Sequence, residues 1–483
     1  MRFNSLTFLI FFWLSTGAYF ALPYRKRWAL LLIGSALFYA AYIPAYLLIL
    51  GLVIAIDYVA GIAIEQTAGS TRKIWLLASL LANIGVLASF KYFDFASDNL
   101  RALLTYLHSD YPVQHIGLLL PIGLSFHTFQ SLSYTIEVYR GRQRAERHLG
   151  IYALYVMFYP QLVAGPIERP QNLLHQFRED HEFDPNRIFA GLRQMMWGFF
   201  KKLVIAARLA NIVDPIYHNP RAWGSAYLWL ATYSFAFQIY CDFSGYSDIA
   251  LGAAKVLGIK LMTNFDRPYA ARSVAEFWRR WHISLSTWFR DYVYFPLGGN
   301  RVSLPRWCMN ILVVFLISGL WHGASWTFVL WGAIHGMYLI FGRMTSGVRR
   351  RLAVAIGLDQ LPVVTAAAKI FLTFNLVAIA WVFFRAASLG QAAFILARMV
   401  RGPVWDLPSF TLASPAPFVV ADLILIGSLL LAMELIQGIT RRPWRGFFDR
   451  QPTWIRWPAY YAMIITILWF GALGGRTFIY FQF

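Results

Sequence analysis

Long apolar runs alternate with short basic clusters along almost the whole chain. Four apolar runs near residues 5–22, 28–43, 45–64 and 73–90 are interrupted by Arg25-Lys26-Arg27 and by Arg72-Lys73. Each run predicts a membrane-spanning helix, because roughly 20 apolar residues cross a hydrocarbon core of about 30 Å. Basic residues favour the cytoplasmic side of a membrane, so the two clusters predict an N-terminus on the outside.

The alternation continues to the end of the chain. Further apolar runs lie near residues 116–136, 194–212, 224–241, 366–384, 418–438 and 455–472. The shorter run Ile151–Val163 closes with Gly165-Pro166 between basic segments, which favours a re-entrant or broken helix. The predicted fold is an all-α polytopic membrane protein with about 10 to 12 transmembrane helices plus interfacial and re-entrant helices. We expect one domain over residues 1–483, with a motif-rich catalytic region at 266–345.

Composition agrees with a membrane protein. Of the 483 residues, 58% are hydrophobic and only 14% are charged, and the mean hydropathy is +0.51. A net charge of +20 would suggest nucleic acid in a soluble protein. Here lysine and arginine punctuate the apolar runs, so we assign them to topology and to anionic lipid headgroups and expect no nucleic-acid partner. The two cysteines, Cys241 and Cys308, cannot build a disulfide framework.

The segment from residue 267 to residue 306 is rich in arginine and tryptophan and contains no span. A helical wheel places two sets of residues on opposite faces, Phe277, Trp281, Leu285 and Trp288 against Arg279, His282, Ser286 and Arg290. We therefore predict an amphipathic helix in the membrane interface, with its polar face toward the cytoplasm. Arg279, Arg280 and Arg290 around His282 would suit a phosphate-bearing donor or an acidic carrier. Alternatively, His282 is simply solvated on the wet face.

A titratable imidazole, His322, lies inside an apolar region formed by Ile311–Leu320 and Thr327–Ile340. An ionisable side chain at membrane depth is a functional hypothesis by default, because its burial in hydrocarbon is costly. Counted along a helix from Arg306, His322 lies roughly 24 Å deeper, at ~1.5 Å per residue. Two interpretations remain open: a general base for a hydroxyl nucleophile, or a neutral core histidine bonded to backbone.

Small residues surround this histidine. Gly319, Gly323 and Ala324 predict that backbone or a ligand approaches closely there. His335 lies 13 residues after His322, which on one helix would place the two rings on nearly opposite faces, about 20 Å apart. That separation predicts no shared metal.

Two carboxylates flank the sequence Phe243-Ser-Gly-Tyr-Ser247. Asp242 and Asp248 are expected to pair with nearby arginines, because a buried aspartate must be paired or neutral. Asp242 and Ser244 are also kept as candidate substrate-binding residues. The chain contains no G-x-S-x-G, H-E-x-x-H, paired C-x-x-C or phosphate-loop motif, so zinc hydrolysis and ATP-driven transport have no support.

Two long motifs resemble a known family. They are Phe277-Trp-Arg-Arg-Trp-His-Ile-Ser-Leu-Ser-Thr-Trp-Phe-Arg-Asp-Tyr292 and Leu320-Trp-His-Gly-Ala-Ser-Trp326. Together they are similar to the membrane-bound O-acyltransferases, in the bacterial alginate O-acetyltransferase-like branch. Shorter matches run nearly end to end, among them Pro160-Gln-Leu-Val-Ala-Gly-Pro166, Tyr240-Cys-Asp-Phe-Ser-Gly-Tyr246 and Trp381-Val-Phe-Phe-Arg385.

The resemblance implies a bacterial inner-membrane enzyme that takes an acyl group, with acetyl preferred, from a cytoplasmic thioester such as acetyl-CoA or an acyl carrier protein. The acceptor would be an exopolysaccharide such as alginate, or a cell-wall polymer. His322 corresponds to the central catalytic histidine and His282 to the second, donor-side one, and Trp321 is a candidate substrate contact. No permanently bound cofactor is expected, and a periplasmic acetyltransferase of the polymer-modification machinery is the expected partner.

Two alternatives to this function stay open. One is a lipid O-acyltransferase. The other is a proton-coupled transporter or flippase, in which His322 would serve a proton relay. Paired glycine or proline breaks in two inverted halves would favour a transporter, and the sequence shows none.

Overall fold

The computed structural model describes residues 1, 3, 5–109, 115, 117–118, 120–163, 165–402, 420–440, 451–472 and 478. Within these residues every regular element is a helix, which confirms the predicted all-α class. The chain is organised in two compact units. Unit 1 contains residues 1–198 and 246–263, and unit 2 contains residues 199–245 and 264–483. Whether they act as the single domain expected from the sequence stays a prediction.

Unit 1 is built from the N-terminal helices. They are α1 (Leu6–Ala21), α2 (Tyr24–Ala40), α3 (Tyr46–Gln66), α4 (Gly69–Lys91), α5 (Phe93–Tyr106), α6 (Leu124–Tyr139), α7 (Leu149–Met157), α8 (Pro170–Leu173) and most of α9 (Pro185–Phe199), with a 3₁₀ turn at His175–Arg178. The short α7 agrees with the predicted broken helix. The run predicted at 116–136 becomes helical only from Leu124, after Gly123 with a φ of 77°.

Unit 2 carries the remaining helices. They are α10 (Ala207–His218), the first part of α11 (Ser225–Val256), α12 (Val274–Arg280), α13 (Ile283–Phe289), α14 (Leu304–His322), α15 (Trp326–Met344), α16 (Ser346–Ala355), α17 (Pro362–Arg385), α18 (Leu389–Arg401), α19 (Val420–Thr440) and α20 (Thr453–Phe470). Wider π-helical turns follow α9 at Phe200–Ala206 and α13 at Arg290–Tyr294, and 3₁₀ turns lie at Pro220–Ala222, Pro268–Ala270 and Leu358–Gln360.

Four helices of the described part are long and apolar enough to cross a membrane: α3, α4, α14 and α17. The bounds of α3, α4 and α17 lie within a few residues of the predicted runs, because length and hydropathy are properties of the local sequence. The apolar region around His322 is instead divided between α14 and α15. Shorter apolar helices, including α1, accompany them. The chain is therefore a multi-pass membrane protein.

The core of unit 1 contains a buried carboxylate. Asp57 lies in the middle of α3 and is 0% exposed. Its Oδ1 accepts hydrogen bonds from Ser79 Oγ (2.7 Å) and Asn83 Nδ2 (2.9 Å), both on α4. Ser79 Oγ also lies 3.1 Å from Thr135 Oγ1 of α6. Polar side chains thus join three helices where hydrophobic burial gives little drive for association within a bilayer.

In unit 2, α14 and α15 form an antiparallel hairpin in close backbone contact. A Cβ added to Gly319 would lie 2.3 Å from the carbonyl oxygen of Phe328, and one added to Gly332 would lie 2.1 Å from that of Phe315. Glycine is required at both positions because any side chain would separate the helices. The indole of Trp381 on α17 stacks on Trp331 of α15, with ring centroids 5.7 Å apart.

Candidate active site

The first histidine of the site lies at a break between two short helices. α12 ends at Arg280, α13 begins at Ile283, and His282 between them has a left-handed φ of 43°. The single amphipathic helix predicted across this segment is therefore wrong. A non-glycine residue in this conformation costs about 1 to 3 kcal/mol and persists only where its surroundings hold it, as happens at functional sites.

Asn264 stabilises the start of α13. Its side-chain Oδ1 accepts hydrogen bonds from the backbone N–H of Ser284 (3.2 Å) and from the Ser284 hydroxyl (2.9 Å). Its own carbonyl accepts the N–H of Ile283 at 3.0 Å. These bonds satisfy N–H groups that the first turn of a helix otherwise leaves without partners, and they fix the break at His282.

The imidazole of His282 is buried, with 0% exposure, so its predicted place on a wet helix face is wrong. Its ring lies edge-on to Phe243, with centroids 4.6 Å apart, and 5.9 Å from the ring of Trp321. Burial lowers the pKa of His282 to about 3, because a protonated imidazole loses its hydration there. His282 is therefore neutral near pH 7.

The segment that carries His282 contacts the middle of the α14–α15 hairpin. The ring of Trp278 lies 5.2 Å from that of Phe315 in α14 and 5.1 Å from that of His335 in α15. The predicted apolar face is nonetheless correct, because Phe277, Trp281, Leu285 and Trp288 are all buried.

His322 is the last residue of α14 and is 4% exposed. Its imidazole lies 4.9 Å from the ring of Trp321, 4.9 Å from that of Trp331 and 5.3 Å from that of Phe384, measured between centroids. The space beside Gly323 is occupied by the ring of Phe328, which would lie 2.2 Å from an added Cβ. The small residues near His322 thus admit protein atoms rather than open space.

Trp321 connects the two histidines. Its indole contacts His282 and also His322, so two buried imidazoles from separate parts of the sequence meet the same ring. Imidazole can exchange protons near neutral pH, which makes His322 a candidate for acid–base catalysis, whereas the neutral His282 can donate a hydrogen bond.

His335 is a third buried histidine of this region, and the sequence-based interpretation of its position is wrong. α14 ends at His322 and α15 begins at Trp326, so His322 and His335 lie on two antiparallel helices. Both imidazoles contact the ring of Trp331, at 4.9 and 5.0 Å. Among the residues described, no group of three or more histidine, cysteine or acidic side chains is arranged to hold a metal ion.

The three predicted donor-binding arginines lie in a different environment from His282. Arg279 is exposed, Arg280 donates to Glu276 at 2.6 Å, and Arg290 donates to Asp291 at 2.8 Å. Arg280 and Arg290 thus lie beside acidic residues, whereas His282 is buried among aromatic rings. Their predicted contact with the donor stays a prediction.

Asp242 and Ser244, two candidate substrate-binding residues, each contact a lysine that was not predicted from the sequence. Lys202 forms a buried ion pair with Asp242, and Lys201 Nζ donates to Ser244 Oγ at 2.9 Å. Asp242 thus pairs with a lysine, where an arginine was expected. Both lysines lie on the π-helical turn at Phe200–Ala206. The sequence did contain an indication of their importance: Lys201 and Lys202 are adjacent inside the predicted span at 194–212. Charged residues in such positions usually have a specific role.

Several known proteins resemble this chain over much of its length. Residues 92–377 match the family model of the membrane-bound O-acyltransferases. The chain is 39% identical to the "Probable alginate O-acetylase AlgI" of Pseudomonas aeruginosa, over 88% of this chain and 80% of that protein. It is 36% identical to the "Peptidoglycan O-acetyltransferase" of Helicobacter pylori, over 78% and 74% of the two chains. It is 32% identical to the "Teichoic acid D-alanyltransferase" of Streptococcus thermophilus, over 54% and 68%.

The fold defines an integral-membrane protein in which the three histidines of the candidate site are buried. The chain belongs to the membrane-bound O-acyltransferase family, and it is an O-acyltransferase. The resemblance of its motifs to this family is thereby confirmed.

Proposed function

We propose that this enzyme transfers an acetyl group from a cytoplasmic thioester across the bacterial inner membrane for the O-acetylation of an exopolysaccharide or cell-wall polymer. The observation that carries the proposal is the contact of His282 and His322 with one indole, Trp321, at the outer end of α14. Relatives whose names specify alginate, peptidoglycan and teichoic acid support a polymer acceptor.

His322 acts as the general base. It takes the proton of the acceptor hydroxyl while that oxygen attacks the thioester carbonyl, and the proton then passes to the departing thiolate when the C–S bond breaks. A positioned base contributes about 10² to 10⁴-fold to such a step. His282, neutral because it is buried, keeps a ring N–H that donates a hydrogen bond to the thioester from the donor side.

The ends of the helices in unit 2 support the proposed direction of transfer. α14 begins beside Arg301 and Arg306, and the antiparallel α15 leads into Arg349-Arg350-Arg351. Basic residues favour the cytoplasm, so His322 at the opposite end of α14 faces the acceptor side. The donor, acetyl-CoA or an acyl carrier protein, approaches from the side of Arg279, Arg280 and Arg290. A periplasmic acetyltransferase is the partner that would receive or complete the transfer.

The test is acetyl transfer in membranes that contain His322→Ala or His282→Ala. Radiolabelled acetyl-CoA and acetylated acyl carrier protein are supplied at the cytoplasmic face, and label is measured in polymer, lipid and partner-protein fractions. Loss of transfer by at least about 10²-fold with unchanged thermal stability in detergent supports the proposal. His175→Ala, an exposed histidine of unit 1, is the matched control. Substantial transfer by His322→Ala, or label only in lipid, would reject it.

Orientation is tested separately by labelling a cysteine at the exposed position Arg290. Cys241 is buried and Cys308 is partly accessible. The labelling is therefore done in the Cys308→Ser variant, so that no accessible native cysteine reacts. A membrane-impermeant maleimide should label Arg290→Cys only after permeabilisation. Labelling of intact cells would place this segment outside and reverse the proposed direction.

A further inference from the structure

An open pocket of about 460 Å³ lies in unit 2 and is lined by residues other than His282, His322 and His335. Its lining residues are Asp214, Pro215, Tyr217 and His218 at the end of α10, and Arg385, Ala387 and Gln391 where α17 leads into α18. Its volume is within the range of about 300 to 1,000 Å³ that is typical of small-molecule sites. The catalytic proposal does not account for it.

Hydrogen bonds fix the shape of this pocket. Gln391 Oε1 accepts the N–H of Ala387 at 2.6 Å, and Gln391 Nε2 donates to the carbonyl of Tyr217 at 2.8 Å. The pocket wall from α10 is thereby tied to the wall from α17 and α18. A site whose shape is already fixed loses less conformational entropy when a ligand binds.

The pocket offers donors and acceptors side by side. Arg385 Nη2 donates to Asp214 Oδ1 at 3.0 Å, and both side chains remain partly open, at 23% and 45% exposure. The guanidinium lies over the ring of Tyr217, 5.6 Å from its centroid, which fixes its plane. Arginine has five N–H donors, so donors remain beyond the bond to Asp214. The exposed His218 adds an imidazole.

This charge arrangement selects the class of ligand. A simple anion attracted by Arg385 would be repelled by Asp214, and a simple cation attracted by Asp214 would be repelled by Arg385. A lipid tail would leave these polar groups without water, which is costly. A ligand with neighbouring hydroxyl groups, each able to donate and accept, fits the alternation of donors and acceptors.

The position of the pocket relates it to the reaction. Arg385 follows Phe384, whose ring lies 5.3 Å from that of His322. The ring of Phe384 also lies 4.9 Å from that of Phe328, near the start of α15. α17 therefore ends at the same end of the hairpin as His322, opposite the arginine-rich end. In the proposed function this is the acceptor side.

We propose that the Arg385–Asp214 pocket binds a hydroxyl-rich saccharide unit of the acceptor polymer and holds the polymer beside His322. This proposal rests on the proposed function, since it assumes that the acceptor approaches from this end. The Arg385–Asp214 pair and His218 would hydrogen-bond adjacent hydroxyls, and Gln391 would keep the wall of the pocket in place.

The test measures saccharide binding to the full-length protein in detergent, by saturation-transfer NMR and calorimetry. The probes are an alginate hexasaccharide, cellohexaose and an N-acetylglucosamine hexamer. At least one should bind, and Arg385→Ala should weaken its binding about tenfold, equivalent to about 1.4 kcal/mol. His218→Ala, a change at an exposed position that leaves the fold intact, should weaken it severalfold. Arg398→Ala, an exposed arginine of α18 outside the pocket, should bind as the wild type does.

The catalytic variant separates this proposal from the proposed function. His322→Ala should bind the same saccharide with unchanged affinity while it transfers no acetyl. Failure of all three probes to bind, or equal binding by the wild type, Arg385→Ala and His218→Ala, would overturn the pocket proposal. So would loss of copurification of a partner protein in Arg385→Ala with saccharide binding unchanged, because the pocket would then be a protein dock. None of these results bears on whether His322 is the base.

Discussion

Trp278 donates a hydrogen bond from its indole Nε1 to Nδ1 of His335, over 3.2 Å, inside the core of unit 2. The bond requires Nδ1 of His335 to be unprotonated, so the proton of the neutral ring lies on Nε2. Trp278 lies four residues before His282, and His335 contacts Trp331, the same indole that His322 contacts. One hydrogen bond thus joins the segment that carries His282 to the helix that supports His322.

We expect this bond to position the active site. In His335→Phe the indole N–H of Trp278 loses its acceptor while the ring volume is kept, and transfer should fall about 10 to 10²-fold, because small displacements of reacting groups cost that much. His335→Gln, which retains an acceptor, should recover part of the loss. The measurement is kcat and KM for transfer; a positioning role lowers kcat with little change in the donor KM.

The double variant Trp278→Phe/His335→Phe is the control for this prediction. It removes donor and acceptor together, so its thermal stability should exceed that expected from adding the two single changes. Strict additivity would show that the two side chains do not interact.

The buried pair Lys202–Asp242 should be sensitive to the loss of one member. Their side chains are 6% and 10% exposed. Asp242→Ala leaves the charge of Lys202 uncompensated and should cost about 3 to 5 kcal/mol of stability. Lys202→Met/Asp242→Ala, which removes both charges, should be more stable than Asp242→Ala alone. Thermal unfolding in detergent measures both.

A surface ion pair provides the comparison. Arg290 and Asp291 have side chains that are 54% and 28% exposed, so Asp291→Ala should cost no more than about 1 kcal/mol. Equal losses for Asp242→Ala and Asp291→Ala would contradict the assignment of Lys202–Asp242 as a structural pair.

The protonation of His282 should contribute to the pH dependence of stability. Burial lowers its folded-state pKa from 6.5 to about 3. Between these values the unfolded chain binds a proton that the folded protein does not, so stability is lost as pH falls from about 6.5 towards 3. One proton corresponds to at most about 1.4 kcal/mol per pH unit.

His282→Gln removes the titrating imidazole. Its unfolding temperature, measured from about pH 7 to pH 4.5, should fall less steeply than that of the wild type. Other titrating groups are common to both proteins and cancel in the difference. Parallel curves would show that the pKa of His282 is the same in the folded and the unfolded protein.

Ser79 should contribute to stability through Asp57, and Ser89 on the same helix should not. Ser79 is 0% exposed and bonds to Asp57, whereas the exposed Ser89 bonds only to the carbonyl of Gly85 in its own helix. Ser79→Ala should lower the free energy of unfolding by about 1 kcal/mol, within the range for hydrogen bonds between membrane helices. Asp57→Ala should lower it more, because Ser79 and Asn83 both lose their acceptor. Ser89→Ala should remain within about 0.5 kcal/mol of the wild type. Equal effects of Ser79→Ala and Ser89→Ala would show that the hydrogen bond from Ser79 to Asp57 does not contribute to stability.

The class of protein, the approximate bounds of several long apolar helices and the two catalytic candidates could all be predicted from the amino-acid sequence. Helix length and hydropathy depend on neighbouring residues in the chain, so α3, α4 and α17 could be predicted from them. His322 was found because an imidazole in an apolar run is conspicuous, and its family motif supported the role. The buried face of residues 277–288 was also predicted correctly from its periodicity.

The contacts among these residues depend on tertiary packing. The break at His282 depends on Asn264, 18 positions earlier, whose bonds to α13 no helical wheel can include. The partners of Asp242 and His335 come from segments 40 and 57 residues away, and the turn at Gly323 brings His335 to the same indole as His322. These contacts arise from packing between distant segments, and local sequence does not specify them.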